Sequence, residues 1–423
     1  MDYSTIALII VGIAVILFVT EAVPLPVTAV GAAIAMAVFG VIPFSYVFAG
    51  FGHDIPMMLI GSLIMGEALF ETGAANKLGV GILKFGGTNQ RIFTTTVFIV
   101  VSFLSAFLSN TAIVASMMPV VTAAAAASGG KLQKKYTFMA IGIGANMGGS
   151  LLLTSTSTNL IGQAILIESG EAGMGLFDLT AGSLPRLVVM ALFYFTIGQK
   201  IQEKVFNFDE PVTAPSASAE SDAKDKGSLK MWITTVVFAL MVAGFVSGVW
   251  TMGTVAMLAA LVCISLKCIS IKDAYRRIDW SSVWLVGGSL GFAAGLEQSG
   301  AGALIAETLL GLLGYSPSAF MVLVLFTLLS IVMANLMSST ATISILGPIG
   351  VFVFRDLGYE PRMLILALVW SINLAFATPV GTVPITMTLA GGYRFSDYVK
   401  VGGLLVVIGT IMTIAMYPII FQL

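Results

Sequence analysis

Repeated runs of about 20 apolar residues constrain the fold of this chain more than any other feature. A helix needs about 20 such residues to cross a bilayer. Runs of this kind lie near 4–20, 26–42, 55–72, 136–153, 181–199, 231–249, 251–269, 281–296, 362–376 and 398–421. Charged residues make up 10% of the sequence, less than half of the roughly 25% usual in soluble domains. The pattern predicts an all-α protein embedded in the cytoplasmic (inner) membrane, with ten crossings.

Two further apolar stretches, at about 92–128 and 318–354, are each broken by a short polar tripeptide. The first is interrupted at Ser109-Asn110-Thr111 and the second at Ser338-Ser339-Thr340. Each stretch has room for two short helices. We therefore predict two re-entrant helical hairpins with these tripeptides at their tips.

The motifs recur along the chain at a nearly constant offset, which indicates an internal duplication. Gly61-Ser62-Leu63 returns as Gly288-Ser289-Leu290, Ser109-Asn110-Thr111 as Ser338-Ser339-Thr340, Pro119 as Pro348, and Thr156 as Thr382. A charged stretch rich in Ser, Ala and Pro at 207–228 is unable to bury a core. We predict two repeats, 1–206 and 229–423, joined by a flexible cytoplasmic linker.

Five crossings in each half is an odd number, so the two halves must have opposite orientations. Lys and Arg prefer cytoplasmic loops, and an outside N-terminus places 17 of the 20 basic residues inside. Arg186, Arg355 and Arg362 remain outside. This arrangement predicts an inverted repeat with both termini outside, the hairpin at 92–128 entering from the cytoplasm and the hairpin at 318–354 entering from outside.

Inverted repeats with broken helices are typical of secondary transporters, whose sites lie at the breaks. Polar residues collect there: the tripeptides, Asn146, Asn373, the run 154–159, and the run 377–384 with its two prolines. Helix N-termini at such breaks favour an anion, whereas free carbonyls and hydroxyls suit sodium. The motifs contain no titratable side chain, which argues against proton relay at the site.

These motifs, together with the opening Thr20–Thr28, resemble the divalent-anion/sodium symporter family of the wider ion-transporter superfamily. The resemblance implies a homodimer in the lipid bilayer that works as an elevator, with a fixed scaffold and a mobile transport domain. It also implies two sodium ions and a di- or tricarboxylate, or sulfate. Carried onto this sequence, it places the anion at Asn110, Thr111, Thr158, Asn159, Ser339, Thr340 and Pro384, and sodium at Ser109, Asn110, Thr154, Thr156, Ser338, Thr340, Ala377, Thr378 and Thr382.

The sequence departs from the family pattern at the second tip, where Ser339 stands in place of asparagine. Ser157 and Thr158 likewise replace two prolines of the first loop, and Ile385 replaces an asparagine after the second. Serine is shorter and donates one hydrogen bond where an amide donates two. We therefore expect Asn110 to bind the anion directly, and we favour a di- or tricarboxylate over sulfate.

Three functional classes compete: a sodium-coupled anion symporter, an exporter, exchanger or cation/proton antiporter of the same fold, and an intramembrane enzyme or channel. The first is favoured, because the sequence has no paired Ser/His, no zinc motif and no ring of charges along a pore. A net charge of -1 excludes nucleic-acid partners. No cofactor other than the coupling sodium ions is expected. A structural role is favoured for Glu67, Glu71 and Glu297.

Overall fold

All the regular elements in the described part of the chain are helices. The computed structural model describes residues 2–75, 87–208, 228–313 and 317–422, so most of the predicted linker lies outside the described residues. The helices are α1 (Tyr3–Thr20), α2 (Leu25–Val38), α3 (Phe44–Ala49), α4 (Asp54–Glu71), α5 (Gln90–Ser105), α6 (Asn110–Ala127), α7 (Phe138–Gly149), α8 (Ser157–Glu168), α9 (Thr180–Val205), α10 (Ser228–Ser247), α11 (Met252–Ser265), α12 (Ile271–Arg277), α13 (Trp280–Ser299), α14 (Ala301–Leu313), α15 (Ala319–Leu336), α16 (Ser339–Asp356), α17 (Pro361–Ile372), α18 (Val383–Met387) and α19 (Phe395–Phe421).

The all-α membrane fold predicted from the sequence is confirmed. Within the described residues, seven helices are long and apolar enough to cross a membrane, counting α3 and α4 as one, and four shorter apolar helices accompany them. By length and composition, α6 and α15 are among the seven. The re-entrant depth of the two hairpins therefore stays a prediction.

The helices pack in two groups. In one group α4 lies against α11, and α2 lies against α13. In the other, α5 and α6 pack on α7, while α15 and α16 pack on α17. The groups meet where α8 contacts α13 and where α14 contacts α16. The hairpins and the broken helices thus belong to the same group.

The helix bounds recur at the offset found in the sequence. Asn110–Ala127 corresponds to Ser339–Asp356, and Asp54–Glu71 corresponds to Trp280–Ser299. In both hairpins an 18-residue helix begins at the second residue of the polar tripeptide, and the first residue is its N-cap. The opposite orientation of the halves and their bounds stay predictions.

Five of the described helices lie between the predicted runs: α3, α8, α12, α14 and α18. They contain 5 to 13 residues, fewer than the runs by which the spans were identified. The connections between the predicted runs therefore contain helical structure.

Arg186 lies within α9, inside the predicted run 181–199, and is 1% exposed. Its guanidinium donates to the carbonyl oxygens of Gly182 and Trp370, at 3.0 and 2.7 Å, and to the hydroxyls of Ser183 and Thr413. These neutral acceptors satisfy the buried guanidinium. The side of the membrane on which Arg186 lies stays a prediction.

Candidate functional site: a cavity between the two hairpin tips

A single cavity of about 840 Å³ brings the polar breaks of both halves together. Both tripeptides line it, and so do residues 154–158 and 380–384. Pockets for small ligands typically measure roughly 300–1,000 Å³. The cavity is therefore large enough for a small organic anion with accompanying ions.

In the group that contains the hairpins, three helices of at least 12 residues begin at this cavity: α6, α8 and α16. The first N–H groups of a helix lack intrahelical acceptors, and the helix dipole places positive charge there. Two helices, α7 and α17, end just before the loops that line the cavity. Their last carbonyl groups provide the oxygen ligands that hard cations prefer. The backbone thus offers both anion and cation ligands around one space.

The first hairpin tip is held mainly through its own hairpin. The Oδ1 atom of Asn110 accepts a hydrogen bond from the Ser105 hydroxyl at 2.6 Å, while Asn110 itself is half-buried. A Cβ atom at Gly149 would lie 2.5 Å from the Nδ2 atom of Asn110, so only glycine leaves room for this amide. Among the described residues, the Nδ2 group has no hydrogen-bond partner and remains available to a ligand.

The second hairpin tip is held by its surroundings. Ser339 is buried, and its hydroxyl donates to the carbonyl oxygens of Ile372 at 3.2 Å and of Gly381 at 3.5 Å. The hydroxyls of Ser338 and Thr340 lie 2.6 Å apart. The backbone N–H of Ser338 donates to a carboxylate oxygen of Glu21 at 3.3 Å.

Two asparagines bridge the halves. Asn146, in α7, donates to the Thr382 hydroxyl at 3.0 Å and accepts from it at 3.2 Å. Asn373, at the equivalent position after α17, donates to the Asn159 Oδ1 atom at 3.5 Å. Each asparagine therefore connects the end of a broken helix in one half to the polar loop of the other half.

Most of the predicted site residues line the cavity, and three do not. Asn159 is fully buried behind it, where its Nδ2 group donates to the carbonyl oxygens of Gly149 and Leu152, both at 2.9 Å. The Asn159 amide N–H groups are thus bonded to the loop backbone, and a contact of Asn159 with the anion stays a prediction. The predicted site residues that line the cavity are Ser109, Asn110, Thr111, Thr154, Thr156, Thr158, Ser338, Ser339, Thr340, Thr382 and Pro384.

Ala377 and Thr378, both predicted at a sodium site, also lie behind the cavity wall. The backbone N–H of Ala377 donates to the Asn335 Oδ1 atom at 2.8 Å, and the Thr378 hydroxyl donates to the Asn335 carbonyl oxygen. Asn335, near the end of α15, also donates to the Leu374 carbonyl oxygen at 3.1 Å. The sequence analysis missed Asn335, although an amide inside an apolar helix four residues before Ser339 was a usable signal.

Three acidic residues also line the cavity, although the motifs contain none: Glu21, Glu67 and Asp279. Glu67 pairs with Arg277 at 3.4 Å, and Asp279 caps α13 by accepting from the Ser282 N–H at 3.3 Å. The motifs contain no titratable side chain, but the cavity that they line also has these three acids in its wall. Acids within membrane segments are functional by default, which was the signal available for Glu21.

The other two acids named from the sequence form ion pairs. Glu71 lies 3.3 Å from Arg277, and Glu297 lies 2.9 Å from Arg355. Neither lines the cavity. These pairs agree with the structural role favoured for both residues.

Comparisons with known proteins identify the class of this site. Residues 15–351 match the family model described as "Citrate transporter". The sodium-dependent high-affinity dicarboxylate transporter 3 of Caenorhabditis elegans is 24% identical, with 93% of this chain and 79% of that protein covered. The uncharacterised transporter YfbS of Escherichia coli is 32% identical over 39% of this chain, and the matched region spans only 27% of its length.

A solved structure has the same fold. The YdaH transporter of Alcanivorax borkumensis superimposes with a TM-score of 0.66 at 14% identity, covering 90% of this chain and 88% of that one. At this identity the likeness concerns the fold alone. It places the chain's architecture among membrane transporters.

Proposed function

Because this chain belongs to the citrate transporter family, and is thus a membrane transporter and not an enzyme, we propose that it carries a di- or tricarboxylate together with sodium ions. The carrier lies in the cytoplasmic membrane with both termini outside, and succinate and citrate represent its substrate class. The names of relatives such as the dicarboxylate transporter of C. elegans support this proposal.

One observation carries the proposal: three helix N-termini surround a cavity whose motif residues are neutral and rich in hydroxyls. Dipole ends and free N–H groups attract the carboxylates of the substrate. Hydroxyl oxygens and the carbonyl groups of the preceding helix ends replace the hydration shell of sodium. Binding of the cation lowers the repulsion between the dianion and the acidic residues that line the cavity.

The sodium sites belong to the two tips and their adjoining loops. In the first half, sodium is bound by oxygens of Ser109, Asn110, Thr154 and Thr156, and in the second half by those of Ser338, Thr340 and Thr382. We place Ala377 and Thr378 in a supporting role, because Asn335 holds both.

The mechanism we propose is an elevator within a homodimer. The packing of both hairpins and the broken helices into one group supports this, since such a group has the composition of a transport domain. The α1–α4 and α10–α14 group provides the scaffold. The site then crosses the membrane with the moving group.

The acids in the cavity favour one alternative, coupling to protons. Glu21, Glu67 and Asp279 are titratable groups beside the site, which such a mechanism requires. Sodium remains the first choice because Glu67 and Asp279 already have partners within the scaffold.

Transport by the purified protein in proteoliposomes separates these mechanisms. Uptake of labelled succinate, citrate and sulfate is measured with an inward sodium gradient, with an inward proton gradient, and with neither. We expect succinate or citrate to accumulate with the sodium gradient alone. Uptake that needs the proton gradient and ignores sodium would support the alternative, and transport of sulfate alone would overturn the substrate class.

A further inference from the structure

Glu21 connects the first helix of the chain to the second hairpin tip. It follows α1 directly and lines the cavity, and its carboxylate accepts the Ser338 N–H at 3.3 Å. The two residues are 317 positions apart in the sequence. This contact joins the α1–α4 side of the molecule to the N-terminus of α16.

The position that Glu21 occupies suits a carboxylate of the substrate. The N-terminus of α16 has no side-chain cap, because the Ser338 hydroxyl is bonded to Thr340 instead of a backbone N–H. Uncapped N–H groups at a helix start attract a carboxylate from any source. Here the protein itself supplies that carboxylate.

The backbone of Glu21 ends α1. Its φ of 48° is the left-handed conformation of a helix C-cap, and its N–H donates to the Leu17 carbonyl oxygen at 3.0 Å. The cap holds the Glu21 backbone in place at the cavity.

We infer that Glu21 is a specificity-determining residue whose carboxylate competes with one carboxylate of the substrate for the second hairpin tip. This inference rests on the proposed function. Without substrate, Glu21 holds the tip. A dianion must displace Glu21 and bind beside its negative charge, whereas a monoanion that binds at the first tip leaves the contact in place.

Binding measurements on the purified protein in sodium test this competition. Glu21→Gln keeps the size of the side chain and removes its charge, and Glu67→Gln is the matched control, since it removes a carboxylate from the same cavity that contacts Arg277 and not the tip. We expect Glu21→Gln to tighten succinate binding about tenfold and succinamate binding less than threefold. Equal effects of the two variants, or no effect of Glu21→Gln, would overturn the inference.

A second readout needs no ligand and so separates this inference from the proposed function. A cysteine replacing Ser338 retains the backbone N–H, and both native cysteines are buried. We expect a maleimide to modify Ser338→Cys several times faster when Glu21→Gln is also present than when Glu67→Gln is. Equal rates in the two double variants would contradict the contact. A parent protein that binds no dicarboxylate would refute only the proposed function.

Discussion

The two hairpin tips begin equivalent helices but are held in different ways. Asn110, at the first tip, is half-buried and bonded within its own hairpin to Ser105. Ser339, at the second, is buried and bonded to carbonyl oxygens of the neighbouring broken helix and loop. Within the described residues, Glu21 forms a hydrogen bond with the second tip and none with the first.

The difference follows from one side chain. Serine is short enough for its hydroxyl to reach the Ile372 carbonyl oxygen while the residue stays buried, and this commits its single donor. Asparagine projects further and keeps its amide N–H groups available. A repeated backbone thus provides one tip with a side-chain amide available to a ligand and one tip whose side chain is bonded to the protein.

The largest expected effect comes from removing the amide of the first tip. Asn110→Ala should weaken succinate binding by about 1.5–3 kcal/mol, the range for hydrogen bonds to charged groups, or roughly 10- to 150-fold. Binding at saturating sodium measures this effect. Ser105→Ala is the control, because it removes only the partner of Asn110, and its effect should be at most a few-fold. Unchanged affinity in Asn110→Ala would show that the first tip does not bind the anion.

A smaller effect is expected from replacing Asn335, which connects the second hairpin to the loop that contains Ala377 and Thr378. Asn335→Ala removes the bonds to Leu374 and Ala377 and should raise the sodium concentration for half-maximal uptake about five- to tenfold, since loss of a buried hydrogen bond costs about 1–3 kcal/mol. Ser330→Ala, on the same helix, removes a hydroxyl bonded only to the Thr327 carbonyl oxygen. A sodium dependence that is the same in both variants would contradict a role for this loop in sodium binding.

The smallest effect is expected from making the second tip resemble the first. Because the Ser339 hydroxyl is already committed, Ser339→Asn should shift the relative affinity for succinate over citrate by only two- to threefold. Competition against labelled succinate by citrate and sulfate measures the shift, and Ser344→Ala, on the same helix but outside the cavity lining, is the control. An unchanged profile would place residue 339 out of reach of the anion.

The sequence was sufficient to predict the helical class and the residues at the tips, because hydrophobic runs and repeated motifs are local signals. Ser109, Thr156, Ser338 and Thr382 were recognisable by their recurrence in both halves. Family membership agrees with the motif resemblance.

The remaining features depend on contacts between distant segments. Glu21 bonds to the second tip, 317 residues away in the sequence, and Asn335 bonds to a loop 42 residues away. Neither belongs to a repeated motif. Arg186 lies inside the predicted run 181–199, and the neutral acceptors from three helices that satisfy it are contacts that no sequence pattern predicts.

The central claim is that the cavity between the unequal tips binds a dicarboxylate together with sodium. Equilibrium binding of labelled succinate to the purified protein, in sodium chloride and in potassium chloride at one pH and ionic strength, tests it most directly. The account predicts binding in sodium, little in potassium, and a loss of at least tenfold in Asn110→Ala. Equal binding in the two salts, or in the parent and Asn110→Ala, would contradict it.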